Sequence, residues 1–218
     1  MSDDFDFEPI PGLPAVPPQG ERILWQGQPD WWALAIKAFH IRKVAIYFAI
    51  LVAWRGAAAY SEGLSLTAAS RHMLWIALLG AACMGVLSLL AYAYARSTIY
   101  TVTTRRIVIR SGVALPVTIN VPFAQIEAAA VKVRSDGIGD IPVRLLKGNR
   151  IAALALWPNW RPWRFTRPEP MLRCIRDAET VAGLLAGALS GAPVQPQPIL
   201  AKSVPQPVGS AMPTPAAT

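Results

Sequence analysis

The chain has 218 residues, enough for two membrane spans and one domain of about 100 residues, and a formal net charge of +8. Such a balance would also suit nucleic acid, but no zinc spacing, helix-turn-helix pattern or RNP motif accompanies it. Cys83 and Cys174 fall in segments that cannot meet, so no structural disulfide is expected, and two separated His with two separated Cys offer no metal cluster.

Residues 1–20 are acidic and Pro-rich (Asp3, Asp4, Asp6, Glu8), which predicts a disordered tail and lacks the marks of a cleavable signal. Glu21 to Gln26 (ERILWQ) reads as a short strand, with Ile23 and Trp25 alternating against Arg22, Leu24 and Gln26, and 21–30 as the first strand segment of a split domain. Residues 31–43 read as an interfacial helix, with Trp32, Ile36 and Phe39 on one face.

Met73 to Tyr94 (MLWIALLGAACMGVLSLLAYAY) contains no charged residue and no polar stripe. At ~1.5 Å per residue it can cross a hydrocarbon core ~30 Å thick. Trp75, Tyr92 and Tyr94 suit the aromatic belts at the two interfaces. Residues 44–60 form a second span if Arg55 snorkels to a headgroup layer; an interfacial segment is the alternative reading. The spans are thus 44–60 and 73–94, with 61–72 as the loop between them. Lys37, Arg42 and Lys43 precede the first span, and Arg96, Arg105, Arg106 and Arg110 follow the second, so both termini are expected on the cytoplasmic side.

After Arg96 the period changes to two. Thr98 to Thr103 and Arg106 to Ser111 read as a hairpin, followed by strands at Val117–Val121, Ile126–Arg134, Ile141–Leu146 and Arg150–Trp157. Residues 169–189 have helical spacing, and 191–218 read as a disordered Pro-rich tail. Residues 96–191 carry 14 Lys or Arg against six Asp or Glu, a charge that suits anionic lipid headgroups. The fold class is α+β: a two-helix transmembrane hairpin plus an antiparallel β-sandwich or barrel over 97–190, capped by a C-terminal helix.

Three features coincide: ERILWQGQPDWW before the spans, IYTVTTRRIVIRSG directly after them, and an SDGIGD turn before a closing helix. Together they resemble the bacterial pleckstrin-homology-like domain. The start, DDFDFEPIPGLPAVPPQGERILWQGQPDWWALAIKAFHIRKVAIYF, is similar to the PuhB family of photosynthetic-complex assembly proteins of purple bacteria, over roughly residues 4–190. The resemblance implies a non-catalytic assembly factor in the bacterial inner, or intracytoplasmic, membrane. Its implied partners are subunits of the reaction centre or light-harvesting 1 complex. The domain-level match alone implies only a membrane-tethered binding module, because such a fold hosts many functions. A lipid- or phosphate-binding module unrelated to photosynthesis is the competing reading, and a membrane enzyme with a site invisible in the sequence is a third.

The densest constellation is Trp157, Trp160, Arg161, Trp163, Arg164 and Phe165, where Trp recurs every third residue and Pro158 and Pro162 forbid regular structure. Trp and Arg are enriched at binding hot spots, so this loop is the expected partner or membrane contact; packing over the core is the alternative. Arg42, Lys43, Arg105 and Arg106 are candidate headgroup contacts, with a plain solvated turn as the alternative for the Arg pair. Ala77, Ala81 and Gly85 share one helix face at small-residue spacing, which suits a homodimer or packing against the first span. His40 and His72 stand at span edges, poorly placed to ligate a pigment magnesium. Asp136 and Asp140 flank a Gly-rich turn, their ordinary place, and no hydrolase or nucleotide-binding motif is present. No cofactor is expected.

Overall fold

The structure is a computed structural model that describes residues 10–113, 115–146, 156–161 and 168–192. In chain order its elements are β1 (Ile23–Gly27), α1 (Trp31–Lys37), α2 (Ile41–Ser61), α3 (Leu66–Ser97), β2 (Ile99–Thr103), β3 (Arg106–Ser111), β4 (Val117–Pro122), β5 (Ile126–Ala129), β6 (Lys132–Val133), β7 (Gly139–Leu145), β8 (Met171–Ile175) and α4 (Ala178–Leu189). The fold is α+β, with two long apolar helices inserted between the first and second strands of a PH-like domain.

One antiparallel sheet runs β1-β2-β3-β4, so the strand before the helices pairs directly with the strand after them. In the second sheet β7 pairs with β5, β6 and β8. The core lies between the two sheets. Leu24, Tyr100, Val102, Ile107, Ile109 and Val121 meet Ile141, Val143, Leu172 and Ile175, and Val181 and Leu185 of α4 close one side. Alternation on β1 and β2 dictates this facing, since successive side chains leave a strand on opposite sides.

β2 is nevertheless buried on both faces. The N-terminal segment 10–13 covers its outer side: Leu13 is buried, and the Gln26 amide nitrogen donates to the Pro11 carbonyl at 2.6 Å and to Thr101 Oγ1 at 3.1 Å. Gly12 has φ of +85°, and a Cβ there would stand 2.6 Å from Ile99 Cγ2, so only glycine fits. The expected disorder of residues 1–20 therefore does not hold for 10–13. A Pro-rich segment cannot form a ladder, but its apolar side chains and free carbonyls can still seal a sheet.

The helix boundaries also shift. α3 begins at Leu66, not Met73, because Ser65 caps it by accepting the Ala68 N–H. The connection between the long helices is correspondingly shorter than 61–72. α1 stops at Lys37, and the chain turns at His40, whose φ is +54°, before α2 starts at Ile41. The expected helix 169–189 divides: Met171–Ile175 is a strand, and only Ala178–Leu189 is helical. Cys174 is accordingly in β8. Its segment is apolar enough to be buried on all sides, which hides the strand's alternation and leaves a short apolar run ambiguous. The expected strand at 150–157 lies mostly outside the described residues.

α2 and α3 have 21 and 32 residues, about 32 and 48 Å at the rise of an α-helix. Both are long and apolar enough to cross a membrane, and only 6% of the most apolar stretch of each is covered by protein. A core helix of a soluble domain would be mostly covered. The two pack at small residues: a Cβ on Gly80 would enter the Phe48 ring, and one on Gly56 would touch Met73 at 3.3 Å. Arg55 reaches toward the connecting turn and pairs with Glu62 at 3.3 Å.

Candidate functional site

α3 is longer than a hydrocarbon core is thick, and its last turns enter the domain. Tyr94, Ala95 and Ser97 are buried there. Leu34 of α1 packs against Tyr94, Ala95 and Cys174, so the short helix wedges between α3 and β8. Asp30 fixes this wedge. Its carboxylate caps α1 by accepting the Ala33 N–H at 2.8 Å, it receives Arg176 at 2.6 Å, and its own N–H donates to the Cys174 carbonyl at 2.8 Å.

Beside the wedge lies a polar lock. Asn159, fully buried, accepts the Tyr100 hydroxyl at 2.8 Å and donates to the Tyr94 hydroxyl at 3.0 Å. The Tyr94 hydroxyl donates in turn to the Trp157 carbonyl at 3.3 Å. Arg173 donates to the Pro158 carbonyl at 2.9 Å and the Lys37 carbonyl at 3.3 Å. The lock ties the end of α3, the end of α1, the sheet and the 156–161 segment into one unit. Buried networks of this kind specify one arrangement when their members are satisfied; here the Tyr94, Tyr100 and Asn159 groups are paired, while Arg173 Nε has no hydrogen-bond partner among the described residues.

Two concave surfaces flank the junction. One is a groove of about 510 Å³ whose walls include Trp25, Gln28, Trp31, Tyr92, Arg96 and Arg176. Trp31 and Tyr92 stand edge to face at 6.2 Å, and the Arg96 guanidinium lies 6.0 Å from the Tyr92 ring centre. Trp, Tyr and Arg are the residues that carry most binding energy at protein interfaces. The other is an apolar cleft of about 300 Å³ between the end of α3 and the β3–β4 loop.

Burial would raise the Asp30 carboxyl, but the Ala33 N–H, Arg176 and the Trp32 N–H outweigh it and hold it below its ordinary value. Burial, together with the positive charges of Lys43 and Arg173, depresses the His40 imidazole against an opposing backbone hydrogen bond at Ile36. Complete burial lifts the Tyr100 hydroxyl well above its ordinary value, so it acts as a neutral donor. Burial and the nearby Asp140 carboxylate push the Cys174 thiol up to about 12, which makes it an unreactive packing group.

The sequence candidates separate in space. Trp157 is 54% exposed and meets Phe39 and Tyr94 edge to face at 6.0 and 6.3 Å. Trp160 instead packs on the core and bridges to Pro170, and Arg161 is held by Glu169 at 3.0 Å. Trp163, Arg164 and Phe165 lie outside the described residues. Arg42 and Lys43 are exposed at the start of α2, where a headgroup layer would lie. Arg105 and Arg106 stand at the end of the sheet opposite the helices, because β2 leaves α3 at Ile99 and turns back only after Thr103. At ~3.3 Å per residue that is about 20 Å of strand and turn beyond α3. Arg106 there forms a two-pronged pair with the buried Glu21 carboxylate at 2.9 and 3.1 Å, which gives it a structural task. Ala77, Ala81 and Gly85 are exposed on α3, and nothing lies within 4 Å of a Cβ on Gly85, so the first long helix does not occupy that face. Asp140 accepts the Cys174 N–H at 2.8 Å and pairs with Arg134, and Asp136 accepts the Ile138 N–H in its turn. Among the described residues no three His, Cys, Asp or Glu cluster as metal ligands.

Sequence reasoning missed the groove, since its walls come from three distant stretches. The available signal was the pairing of ERILWQGQPDWW with the aromatic end of the second span.

A curated protein of Rhodobacter capsulatus, the "Uncharacterized 23.7 kDa protein in puhA 5'region", is 42% identical over 203 residues, covering 92% of this chain and 95% of that one. No solved structure matches. The bacterial PH domain family matches residues 33–189, a stretch that includes both long helices and every strand but the first. The chain therefore belongs to the bacterial PH domain family, a family of non-catalytic modules.

Proposed function

We propose that the protein is a membrane-anchored, non-catalytic assembly factor for the photosynthetic reaction centre and light-harvesting 1 complex. In this reading α2 and α3 span the bacterial inner membrane, and the termini and the PH-like domain are cytoplasmic. The carrying observation is the groove at the junction. It gathers Trp25, Trp31, Tyr92, Arg96 and Arg176 where the domain meets the membrane, and the polar lock fixes its orientation to the helices. A preorganised surface of that composition loses little freedom when a partner docks. The identity of the partner draws on the relative, whose name places it in the puhA 5′ region, and on the resemblance of roughly residues 4–190, most specifically of their start, to the PuhB family.

Arg42 and Lys43 supply contacts to anionic lipids, and the open face of Ala77, Ala81 and Gly85 supplies a homodimer contact. The experiment is a Trp31→Ala/Arg96→Ala double variant expressed in place of the natural chain. Near-infrared absorbance of isolated membranes should show reduced complex, while immunoblots show the variant inserted at normal level. Normal complex levels with a stable variant would defeat the groove as the docking surface.

A further inference from the structure

We propose that the cleft between the β3–β4 loop and the end of α3 receives acyl chains of bilayer lipids, so that this loop is a third membrane contact beside the two helices. The inference rests on reading α2 and α3 as spans. It concerns a different surface from the docking groove.

The loop between β3 and β4 contains no charge from Ser111 to Val121 (SGVALPVTINV). Val113, Leu115 and Val117 are exposed, Leu115 at 79%. A Cβ on Gly112 would collide with the Leu115 carbonyl, so the tight turn that presents these side chains needs glycine. The opposite end of the same sheet carries Arg105 and Arg106 instead. Arg110, opposite Ile99 at the end beside the helices, is buried, and Arg106 is paired with Glu21, so the loop exposes apolar side chains beside the helices while the exposed Arg105 stands at the remote end.

The cleft places Val113 and Leu115 against Phe39, Leu90, Tyr94 and Trp157. Leu90 precedes Arg96 by six residues, which sets it ~9 Å deeper along the helix axis. That is the depth, about 5–10 Å, at which interfacial apolar side chains sit. Leu90 and Leu89 are exposed on α3, so the cleft runs directly into the uncovered apolar face of the long helix. Its polar groups are already engaged: the Tyr94 hydroxyl binds Asn159 and the Trp157 carbonyl. The other side-chain hydroxyl of the lining, Ser111, is itself buried beside Tyr94, so the described side chains that face the cleft are mainly apolar, as a hydrocarbon chain requires.

The test uses the full chain with Cys83→Ala, reconstituted in vesicles of phosphatidylethanolamine and phosphatidylglycerol. The buried, high-pKa thiol of Cys174 does not compete for label. Leu115→Cys, or Val113→Cys should the first fold poorly, carries an NBD fluorophore. Leu79→Cys on α3 and Ala124→Cys beyond β4, at the remote end of the sheet, are references. The quencher is phosphatidylcholine with a doxyl group on its acyl chain. The Leu115 and Leu79 probes should emit to the blue of Ala124 and be quenched several-fold more strongly. A Leu115 probe that behaves like Ala124 while Leu79 is quenched overturns the loop contact and leaves the spans standing. Water-like emission at Leu79 as well overturns both. If Leu115 is water-like in lipid alone but shielded by added reaction centre, the cleft docks protein and the lipid assignment fails.

Discussion

Asn159→Ala is the sharpest probe of the junction. The substitution deletes one acceptor at 2.8 Å and one donor at 3.0 Å in a fully buried place. The Tyr100 proton then has no partner, although its oxygen still receives the Arg173 N–H at 3.3 Å. Each lost hydrogen bond costs about 1 kcal/mol, and a buried group left unpaired costs about 1–3 kcal/mol more. The sum is roughly 3–5 kcal/mol, a large part of the ~5–15 kcal/mol typical of a folded domain. The melting temperature of the detergent-solubilised chain should fall by roughly 6–20 °C. Near-ultraviolet circular dichroism reports the tyrosines and follows the same transition. Tyr100→Phe should recover only part of the loss in the Asn159→Ala background, because it removes the orphaned proton but also takes the acceptor from the Arg173 N–H. A double-mutant cycle should therefore give a coupling of ~1 kcal/mol or more between the two sites. A shift under ~0.5 kcal/mol for Asn159→Ala, or strictly additive effects, would mean that this network does not lock helix to sheet.

Gly80→Leu should break the packing of α2 on α3 and lower the solubilised yield, because its side chain enters the Phe48 ring. Gly85→Leu should leave stability unchanged and shift a dimer toward monomer on sizing. Trp160→Ala should cost about 2–3 kcal/mol in denaturant unfolding, since that indole packs on the core, whereas Trp157→Ala should cost less than ~1 kcal/mol. Asp30 is held below its ordinary carboxylate value of 3.8, so its stabilising contribution is complete above that pH and is lost as pH falls through the lower folded value. Arg176→Ala should shrink this acid-side loss, and melts taken from neutral pH downward would show it.

The sequence made the long helices legible because an uncharged run of span length has few alternative fates. The β2–β3 hairpin was legible because two short runs rich in β-branched residues flank the polar Thr104-Arg105 turn. Pairing of residues 21–30 with the later sheet was also readable, and β1 does pair with β2, but the face was not: Leu24 enters the core and Gln26 is buried while Ile23 and Trp25 are only half-buried, with the register shifted between Ile23 and Trp25. β8 was not legible, since Met171–Ile175 is buried on all sides and a run of five apolar-flanked residues has no decisive period. Arg106 looked like a surface cation because its partner Glu21 lies 85 positions away. The same distance problem hid Asn159, which read as a loop residue between two tryptophans and is in fact the centre of the lock.

Crosslinking from the groove decides whether this surface docks a photosynthetic subunit. Gln28→Cys, exposed on the groove wall, is charged with a benzophenone maleimide in the Cys83→Ala chain and irradiated in membranes that are assembling complex. Glu179→Cys on the exposed side of α4 is the reference. The Gln28 probe should capture a reaction-centre or light-harvesting 1 subunit, and Trp31→Ala/Arg96→Ala should abolish the product. Capture of no photosynthetic subunit from Gln28, or equal capture from Glu179, would contradict docking at the groove.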